Sequence, residues 1–300
     1  MMSDTKLTLG PLLYNWPAER RRDFYFAIAD DSPYDVVHVG EVVCSKRQPF
    51  LDACLGEIVG RLAAAGKEVV LSSLMLVTSR PEREAAIGLA AAAGDYLVEA
   101  NDISAAAALT GYPFMIGPMV NVYNEDTVAQ LAGLGATRFC LPAELPLPAI
   151  AKLAKADGVE FEIQAFGRLP LAISSRCYHA RLHHLHKDGC RFVCNQDPDG
   201  LTVRTLDDEP FLAMNGTQTL SHHYQRLLGE VPDLVNAGIT HLRLWPQDCD
   251  MVAVGRTYRD LLDGMIDAEE AAERLGDVVP EAEFANGFIH GRQGTALVQS

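Results

Sequence analysis

Four cysteines are the residues of this sequence best suited to chemistry. Cys177, Cys190 and Cys194 lie within eighteen residues, in RCYHARLHHLHKDGCRFVCNQDPDG, with the spacing C-x12-C-x3-C. Cys44 stands far upstream, in GEVVCSKR. Thiolates are ligands for soft transition metals and for iron–sulfur clusters. The pattern predicts that the four side chains bind one metal centre; the alternative is a group of unrelated thiols.

The spacing of these cysteines favours an iron–sulfur cluster over zinc. Structural zinc usually takes two close pairs of ligands, each separated by about two to four residues. This chain has one close pair, Cys190 and Cys194, and its most distant candidate ligand is Cys44. A cluster is larger than a single ion and tolerates looser spacing. Zinc therefore stays open as the alternative.

Histidines surround the three downstream cysteines. They could complete a mixed Cys/His site, or they could form a solvated basic helix that holds the thiolates deprotonated. We favour the helix; the histidines concerned are His179, His183, His184 and His186. The pair His222 and His223 is predicted to begin another helix. The other cysteines, Cys54, Cys140 and Cys249, are expected to be free thiols of the interior or of a loop.

The elements that must position the cysteines alternate between short β-branched runs and longer Ala- and Leu-rich stretches. Strands are predicted at 6–9, 34–39, 68–72, 95–99, 113–117, 137–141, 159–165 and 241–244. Helices are predicted at about 17–29, 48–65, 81–93, 103–109, 125–134, 147–156, 223–236 and 251–266.

Eight strands alternating with helices predict an α/β fold, a (β/α)8 TIM-barrel-like domain spanning residues 1–300. A doubly wound open sheet is the alternative. The alternation breaks after the seventh strand, which predicts an insertion at about 166–222 that carries three of the cysteines. Because Cys44 and this insertion both follow strand ends, we expect them on the same face of the barrel.

Other polar side chains are also predicted near strand ends. They could line the mouth of the barrel, or the glutamates could be buried partners of arginine or backbone groups; these residues are Glu41, Glu99, Glu162, Asn121 and Tyr123. Arg168 could meet an anionic ligand. The sequence holds no dinucleotide-binding, phosphate-loop or G-x-S-x-G motif in the required context, and no H-E-x-x-H zinc-protease helix.

Charge and composition exclude some classes of function. The net charge is −15, which opposes binding to nucleic acid or to an anionic membrane surface. No charge-free apolar run approaches the roughly 20 residues that span a bilayer. The beginning MMSDTKLTLGPLLYNW lacks the basic and apolar regions of a secretory signal. We therefore expect a cytoplasmic protein with reduced cysteines.

Three segments carry a resemblance to a known family: GEVVCSKR, EIQAFGRLPLAISSRC and the KDGC-x3-C-x3-PDG stretch. Over essentially its whole length the chain resembles the UbiV (YhbV) family of the collagenase-like peptidase superfamily. The resemblance implies a [4Fe-4S] cluster on Cys44, Cys177, Cys190 and Cys194. It also implies a heterodimer with a UbiU-like paralogue, and a UbiT-like lipid carrier in the same pathway.

The same resemblance implies a role in oxygen-independent (anaerobic) hydroxylation of the aromatic ring of a ubiquinone precursor. On this interpretation the chain is a subunit of a hydroxylase complex in coenzyme Q biosynthesis. The alternatives are a peptidase, as the superfamily name suggests, an RNA-hydroxylation protein, and a non-catalytic partner that supports its paralogue or senses oxygen. The net charge of −15 opposes the RNA alternative.

Overall fold

Eight parallel strands form a closed barrel in the computed structural model, which describes residues 4–299. Each strand pairs with the next one around the barrel, and the last strand pairs with both the seventh and the first. The strands are β1 (Lys6–Leu9), β2 (Val36–Val39), β3 (Glu68–Ser72), β4 (Leu97–Ala100), β5 (Phe114–Ile116), β6 (Ala136–Cys140), β7 (Glu160–Ile173) and β11 (His241–Leu244). The predicted (β/α)8 barrel is confirmed; the predicted domain limits, 1 and 300, lie outside the described residues.

Helices surround the barrel and cover its apolar strands. They are α1 (Ala18–Asp31), α2 (Gln48–Asp52), α3 (Leu55–Ala64), α4 (Arg80–Leu89), α5 (Ile103–Ala108), α6 (Glu125–Ala132), α7 (Leu147–Leu153), α8 (Tyr178–Leu182), α9 (Val231–Ala237), α10 (Met251–Leu262) and α11 (Ala268–Val278). Ile58 and Leu62 are the buried residues of α3, as its apolar stripe predicts. None of the helices in residues 4–299 is long and apolar enough to span a membrane.

Two predicted helices differ from those observed. The helix predicted at 48–65 is interrupted at Ala53 and Cys54, so it becomes the separate helices α2 and α3. The helix predicted at 223–236 is wrong in its first part, because residues 223–226 belong to a strand and α9 begins only at Val231. His222 and His223 therefore lie within that strand and do not begin a helix.

The insertion that follows the barrel part of β7 contains the cysteine loop and a small antiparallel sheet. β7 continues past the barrel to Ile173 and pairs with β10 (Gln218–Arg226), which pairs with β9 (Pro210–Asn215), which pairs with β8 (Leu201–Arg204). A further short strand, β12 (Phe284–Ala285), pairs with β10. This sheet holds both ends of the cysteine loop.

Gly167 lies where β7 turns from the barrel into this sheet. Its φ is +99°, and a Cβ there would lie 2.9 Å from Cβ of Trp245 and 2.7 Å from the side-chain amide of Gln247. Glycine is the residue that tolerates both the left-handed backbone and this close approach. The change of direction brings the antiparallel sheet over the mouth of the barrel.

A buried ionic cluster fills part of the barrel interior. Nη2 of Arg243 donates to Oε1 of Glu99 at 2.6 Å and to Oε2 of Glu162 at 3.0 Å. Nδ1 of His38 lies 3.3 Å from Oε2 of Glu99, and all four side chains are fully buried. Glu99 and Glu162 are therefore buried partners of an arginine and do not line the mouth of the barrel. This is one of the two roles that the sequence predicts for them.

Candidate metal centre

The four predicted cysteines converge on one small cavity at the carboxyl-terminal face of the barrel. Cys44 follows β2 through a short loop, and the other three come from the segment that leaves the extended end of β7. The side chains lining the cavity include Cys44, Cys177, Cys190 and Cys194. The structure therefore brings together residues that are far apart in sequence, as the positions of the strand ends predict.

Glu41 shapes the loop that carries Cys44. Its Oε1 accepts hydrogen bonds from the backbone N–H groups of Val43 and Cys44, both at 3.1 Å. Its Oε2 lies 3.5 Å from Nη2 of Arg21, and both charged side chains are almost fully buried. Glu41 is therefore a buried partner of an arginine and of the backbone, and it fixes the direction in which the Cys44 loop leaves the strand.

A buried cation, Arg47, lies beside the thiols. The sequence patterns did not predict this arginine as a site residue. Its Nη1 donates to the carbonyl of Leu13 at 3.2 Å and its Nη2 to Oδ1 of Asn215 at 2.7 Å. Its Nε has no partner among the described residues, and the side chain is 1% exposed. The one signal in the sequence is its place three residues after Cys44.

Two of the other three cysteines, Cys177 and Cys194, accept hydrogen bonds at sulfur. The Ala180 N–H donates to Sγ of Cys177 at 3.4 Å, and Nδ2 of Asn15 donates to Sγ of Cys194 at 3.4 Å. Bonds of this kind from N–H groups to sulfur stabilise thiolate ligands and adjust the potential of a cluster. Nζ of Lys46 donates to the carbonyl of Lys187 at 2.9 Å, which ties the Cys44 segment to the Cys190 segment.

The predicted basic helix is only partly present. α8 covers Tyr178–Leu182, and His183 and His184 follow it in an exposed turn. His179 is different: it is fully buried, and its Nε2 lies 2.7 Å from Oδ2 of Asp197. None of the four histidines lines the cysteine cavity. His179 thus braces the loop through Asp197, while the others remain on the surface.

The remaining cysteines lie away from this cavity. Cys140 is fully buried in the barrel wall, and Cys54 is buried at the break between α2 and α3. Cys249 is half-buried in the loop before α10. These positions agree with the expectation that all three are ordinary free thiols.

Burial favours the protonated form of two of the thiols in this cavity, Cys44 and Cys177. Burial raises the pKa of Cys44, and the guanidinium of Arg47 opposes that rise. Burial also raises the pKa of Cys177, opposed by its hydrogen bond from the Ala180 N–H. Ligation requires thiolates, so binding at this site must release protons.

The donor set fits an iron–sulfur cluster better than a single ion. Four thiols on one cavity are the ligands that a [4Fe-4S] cluster uses. Among residues 4–299, no three His, Cys, Asp or Glu side chains are grouped closely enough to hold one metal ion. The cavity that the thiols line has a volume of about 10 Å³. Cys44, Cys177, Cys190 and Cys194 would hold the cluster.

Arg168 does not face an open anion site. Its guanidinium lies 3.3 Å from Oδ2 of Asp199 and donates to the carbonyl of Ser221 at 3.2 Å. Tyr224 donates to the same carboxylate oxygen at 2.6 Å. The anionic group that Arg168 contacts is therefore a carboxylate of the chain itself, that of Asp199.

The chain belongs to peptidase family U32, whose family model matches residues 20–299. This family is the collagenase-like superfamily that the sequence resemblance indicates. The match begins within α1 and covers the other seven barrel strands, the cysteine loop and the antiparallel sheet; β1 lies before it.

Several solved structures are similar to this chain; all are enzymes that share little sequence identity with it. A DAHP synthase from Thermotoga maritima is 8% identical, with 92% of this chain and 70% of that chain covered and a TM-score of 0.42. A chain of the tryptophan synthase complex from Pyrococcus furiosus is 11% identical, with 92% and 99% covered and a TM-score of 0.41. The D-psicose 3-epimerase of Clostridium cellulolyticum H10 is 11% identical, with 91% and 97% covered and a TM-score of 0.40.

Proposed function

We propose that this chain is the iron–sulfur subunit of a complex that hydroxylates an aromatic ring without oxygen during ubiquinone biosynthesis. The observation that carries the proposal is the convergence of Cys44, Cys177, Cys190 and Cys194 on one cavity. The resemblance to the UbiV family supplies the pathway. The proposed partner is a UbiU-like paralogue in a heterodimer, the proposed carrier is UbiT-like, and the substrate is a ubiquinone precursor.

The number of thiols limits what the cluster does. Four protein thiolates saturate a four-iron cluster and leave no iron open to substrate. The cluster therefore supplies electron transfer or structural support. A ring hydroxylation without oxygen must take its oxygen atom from another donor and pass electrons to an acceptor. A saturated cluster beside a buried cation suits the second of these tasks.

The first test is the metal content of protein purified without air. We expect about four irons and four sulfides per chain for the wild type and a clear loss for Cys177→Ala. Cys249→Ala is the matched control, because that thiol lies outside the cysteine cavity, and it should retain the full iron content. Colourless wild-type protein with one zinc per chain would rule out the proposal.

The second test concerns the pathway. Cells that depend on this chain for ubiquinone under anaerobic growth should lose the hydroxylated product when Cys177→Ala replaces the wild type, but not with Cys249→Ala. Anaerobic co-purification should recover the UbiU-like partner with the chain. If the partner needs the chain for stability but ubiquinone forms equally with the Cys177→Ala variant, the chain is a structural partner instead.

The family name makes peptidase activity the second candidate, and one group of residues invites that interpretation. Oγ of Ser72 lies 3.0 Å from Nδ1 of His38, and Oε2 of Glu99 lies 3.3 Å from the same nitrogen. A hydrolytic triad needs the serine and the carboxylate on opposite ring nitrogens. Nε2 of His38 instead faces Nη2 of Arg243 at 3.3 Å.

This group also lies in the wrong environment for proteolysis. Ser72 is 4% exposed, and His38 and Glu99 are fully buried inside the barrel. These side chains therefore offer a peptide bond almost no accessible surface. We therefore expect no hydrolysis of casein above background, and a loss of casein hydrolysis in Ser72→Ala would revive the peptidase candidate.

A further inference from the structure

The loop that carries three of the cysteines is a basic surface on an otherwise acidic chain. Residues 176–191 contain four arginines and lysines and one acidic residue, whereas the whole chain contains 25 arginines and lysines and 40 acidic residues. We call this surface the basic face; its cations are Arg176, Arg181, Lys187 and Arg191. The three arginines are exposed and Lys187 is half-buried. The positive charge is therefore concentrated on the loop of the candidate metal centre.

The chain itself does not neutralise the basic face. None of its four cations has a carboxylate of residues 4–299 within ion-pair distance, whereas Arg61 and Arg274, at the surface elsewhere, each pair with an aspartate. The carboxylates of residues 176–200 already have other partners, which are Lys46 for Asp188, His179 for Asp197 and Arg168 for Asp199. Four neighbouring cations without counter-charges repel one another, and an acidic partner would relieve that repulsion.

The backbone of the loop exposes one of these cations beside a cysteine. Arg191 and Phe192 both have a left-handed backbone, with φ of +50° and +54°, which is uncommon for residues other than glycine. The ring of Phe192 packs edge-to-face on Phe50, with the ring centroids 4.8 Å apart, while Arg191 is exposed. The turn thus buries the aromatic ring and leaves the guanidinium in solvent next to Cys190, which lines the cysteine cavity.

Two apolar side chains lie among the cations. Tyr178 is 40% exposed and Leu182 is 56% exposed. They are four residues apart on α8, so they lie on the same side of the helix. Protein interfaces commonly have an apolar centre within a polar rim, and complexes of electron-transfer proteins are among the smallest. A short helix with two apolar side chains and flanking cations suits a small, weak interface of this kind.

We propose that the basic face docks a small acidic electron carrier of the [2Fe–2S] ferredoxin class. Charge complementarity selects the acidic partner and accelerates its encounter with the chain. The choice of an electron carrier rests on the proposed function, in which electrons pass from the metal centre to an acceptor. Lys187 belongs to both the basic face and the lining of the cysteine cavity, so a carrier docked here lies against the loop that holds three thiols. The carrier accepts one electron per encounter and is reduced as the metal centre is oxidised.

The test is anaerobic calorimetric titration of the chain, purified without air, with an acidic plant-type [2Fe–2S] ferredoxin. We expect binding at about 0.05 M salt that weakens at least tenfold at about 0.5 M, because salt screens the charges that join the two proteins. The double variant Arg181→Glu/Arg191→Glu should bind at least tenfold more weakly than the wild type at the lower salt concentration.

A second double variant separates the basic face from the net charge of the chain. Lys155→Glu/Arg256→Glu changes the net charge by the same amount, and both residues are exposed. Lys155 lies in the turn before β7, and Arg256 donates to the carbonyl of Asp31 at the end of α1, so both are remote from the cysteine loop. This variant should bind ferredoxin as the wild type does.

The single variant Arg181→Glu guards against damage to the cysteine loop. Arg181 is exposed and four residues from the nearest cysteine, Cys177, so the variant should keep the wild-type iron content. It should still weaken ferredoxin binding about threefold, since it removes one cation of the face and adds an anion. Wild-type affinity in Arg181→Glu and in the double variant would overturn the proposal.

The outcomes separate this docking surface from the proposed function. A wild type with complete iron content that binds no ferredoxin overturns the docking surface alone. Ferredoxin binding that depends on Arg181 in a wild type without an iron–sulfur cluster would overturn the proposed function and leave the docking surface intact. If the double variant loses its UbiU-like partner, the basic face belongs to the heterodimer and the proposed carrier is wrong. Tighter binding of single-stranded RNA than of ferredoxin would likewise overturn the choice of partner, which the net charge of −15 opposes.

Discussion

Arg47 and Asn215 are joined by a hydrogen bond of 2.7 Å, from Nη2 of the arginine to Oδ1 of the amide, across 168 residues of sequence. The same amide donates from Nδ2 to the carbonyl of Cys194 at 2.9 Å. Because Arg47 follows Cys44, this relay links the two segments that carry the thiols. It also keeps a guanidinium buried beside them, with no carboxylate hydrogen-bonded to it in the described part of the chain.

Arg47→Met should make the reduction potential of the metal centre more negative. Four thiolates on a cluster core leave a net negative charge, and adding an electron increases it. A nearby buried cation stabilises the reduced form, and screening by water is weak at such a site. Anaerobic redox titration followed by absorbance or electron paramagnetic resonance measures the change. Arg83→Met, on the exposed surface of α4, is the control and should keep the wild-type potential.

An unchanged potential in Arg47→Met, with full iron content, would show that the arginine only holds the loop. Arg47→Lys helps to separate the two roles. It keeps the charge but loses the planar guanidinium whose two nitrogens donate to Leu13 and Asn215. We expect its potential to lie closer to the wild type than that of the methionine variant.

Gly216→Ala should reduce the iron content, whereas Gly66→Ala should not. Both glycines have a left-handed backbone, with φ of +74° and +78°. A Cβ at Gly216 would lie 2.3 Å from Nη2 of Arg47, but a Cβ at Gly66 would meet nothing within 4 Å. Both variants carry backbone strain of about 1 kcal/mol, so the pair isolates the contact with Arg47. Iron and sulfide analysis compares them; equal iron loss in both would point to backbone strain alone.

The barrel could be predicted from the sequence because its strands are local, apolar and regularly spaced. Val36–Val39 and Glu68–Ser72, for example, are buried parallel strands that read as short β-branched runs. The convergence of Cys44 with the downstream loop follows from the rule that strand ends share one face. That rule needs only the order of the elements along the chain.

The antiparallel sheet could not be predicted in the same way. β10 reads QTLSHHYQR, a polar run with two histidines, because its side chains meet a cleft and other polar groups. β10 pairs with the part of β7 that begins at Phe166, about fifty residues earlier in sequence. Pairing over that distance leaves no local periodicity, and the roles of Asn215 and Arg47 depend on it.

Arg243→Met should destabilise the fold far more than the removal of a surface ion pair. The substitution leaves Glu99 and Glu162 buried and close together with no cation between them. Removing one partner of a buried ion pair typically costs about 3–5 kcal/mol of unfolding free energy. Urea titration measures the change, with Arg80→Met as the control, since Arg80 and Glu84 are largely exposed. Similar midpoints for the two variants would contradict the role assigned to the buried cluster.

The fold should lose stability as the pH falls below about 6.5, and His241 should account for a separable part of the loss. Burial lowers the pKa of His241 to about 4, with a smaller effect from Arg138, and its Nε2 has no partner among residues 4–299. Above about pH 6.5 the ring is neutral in both the folded and unfolded chains, so it contributes nothing to the pH dependence. Between these values the unfolded chain takes up a proton and the folded chain does not, so the free energy of unfolding falls by roughly 2–3 kcal/mol.

The substitution His241→Gln isolates that contribution. Glu99 and Glu162, whose pKa values are lowered beside Arg243, add a loss of stability in the same direction at lower pH, so the variant keeps some slope. We expect the difference in unfolding free energy between about pH 7 and about pH 4.5 to be smaller in His241→Gln than in the wild type. His186→Gln, at an exposed position, should follow the wild type. Parallel curves for wild type and His241→Gln would show that the buried imidazole is protonated in the folded chain as readily as in the unfolded one.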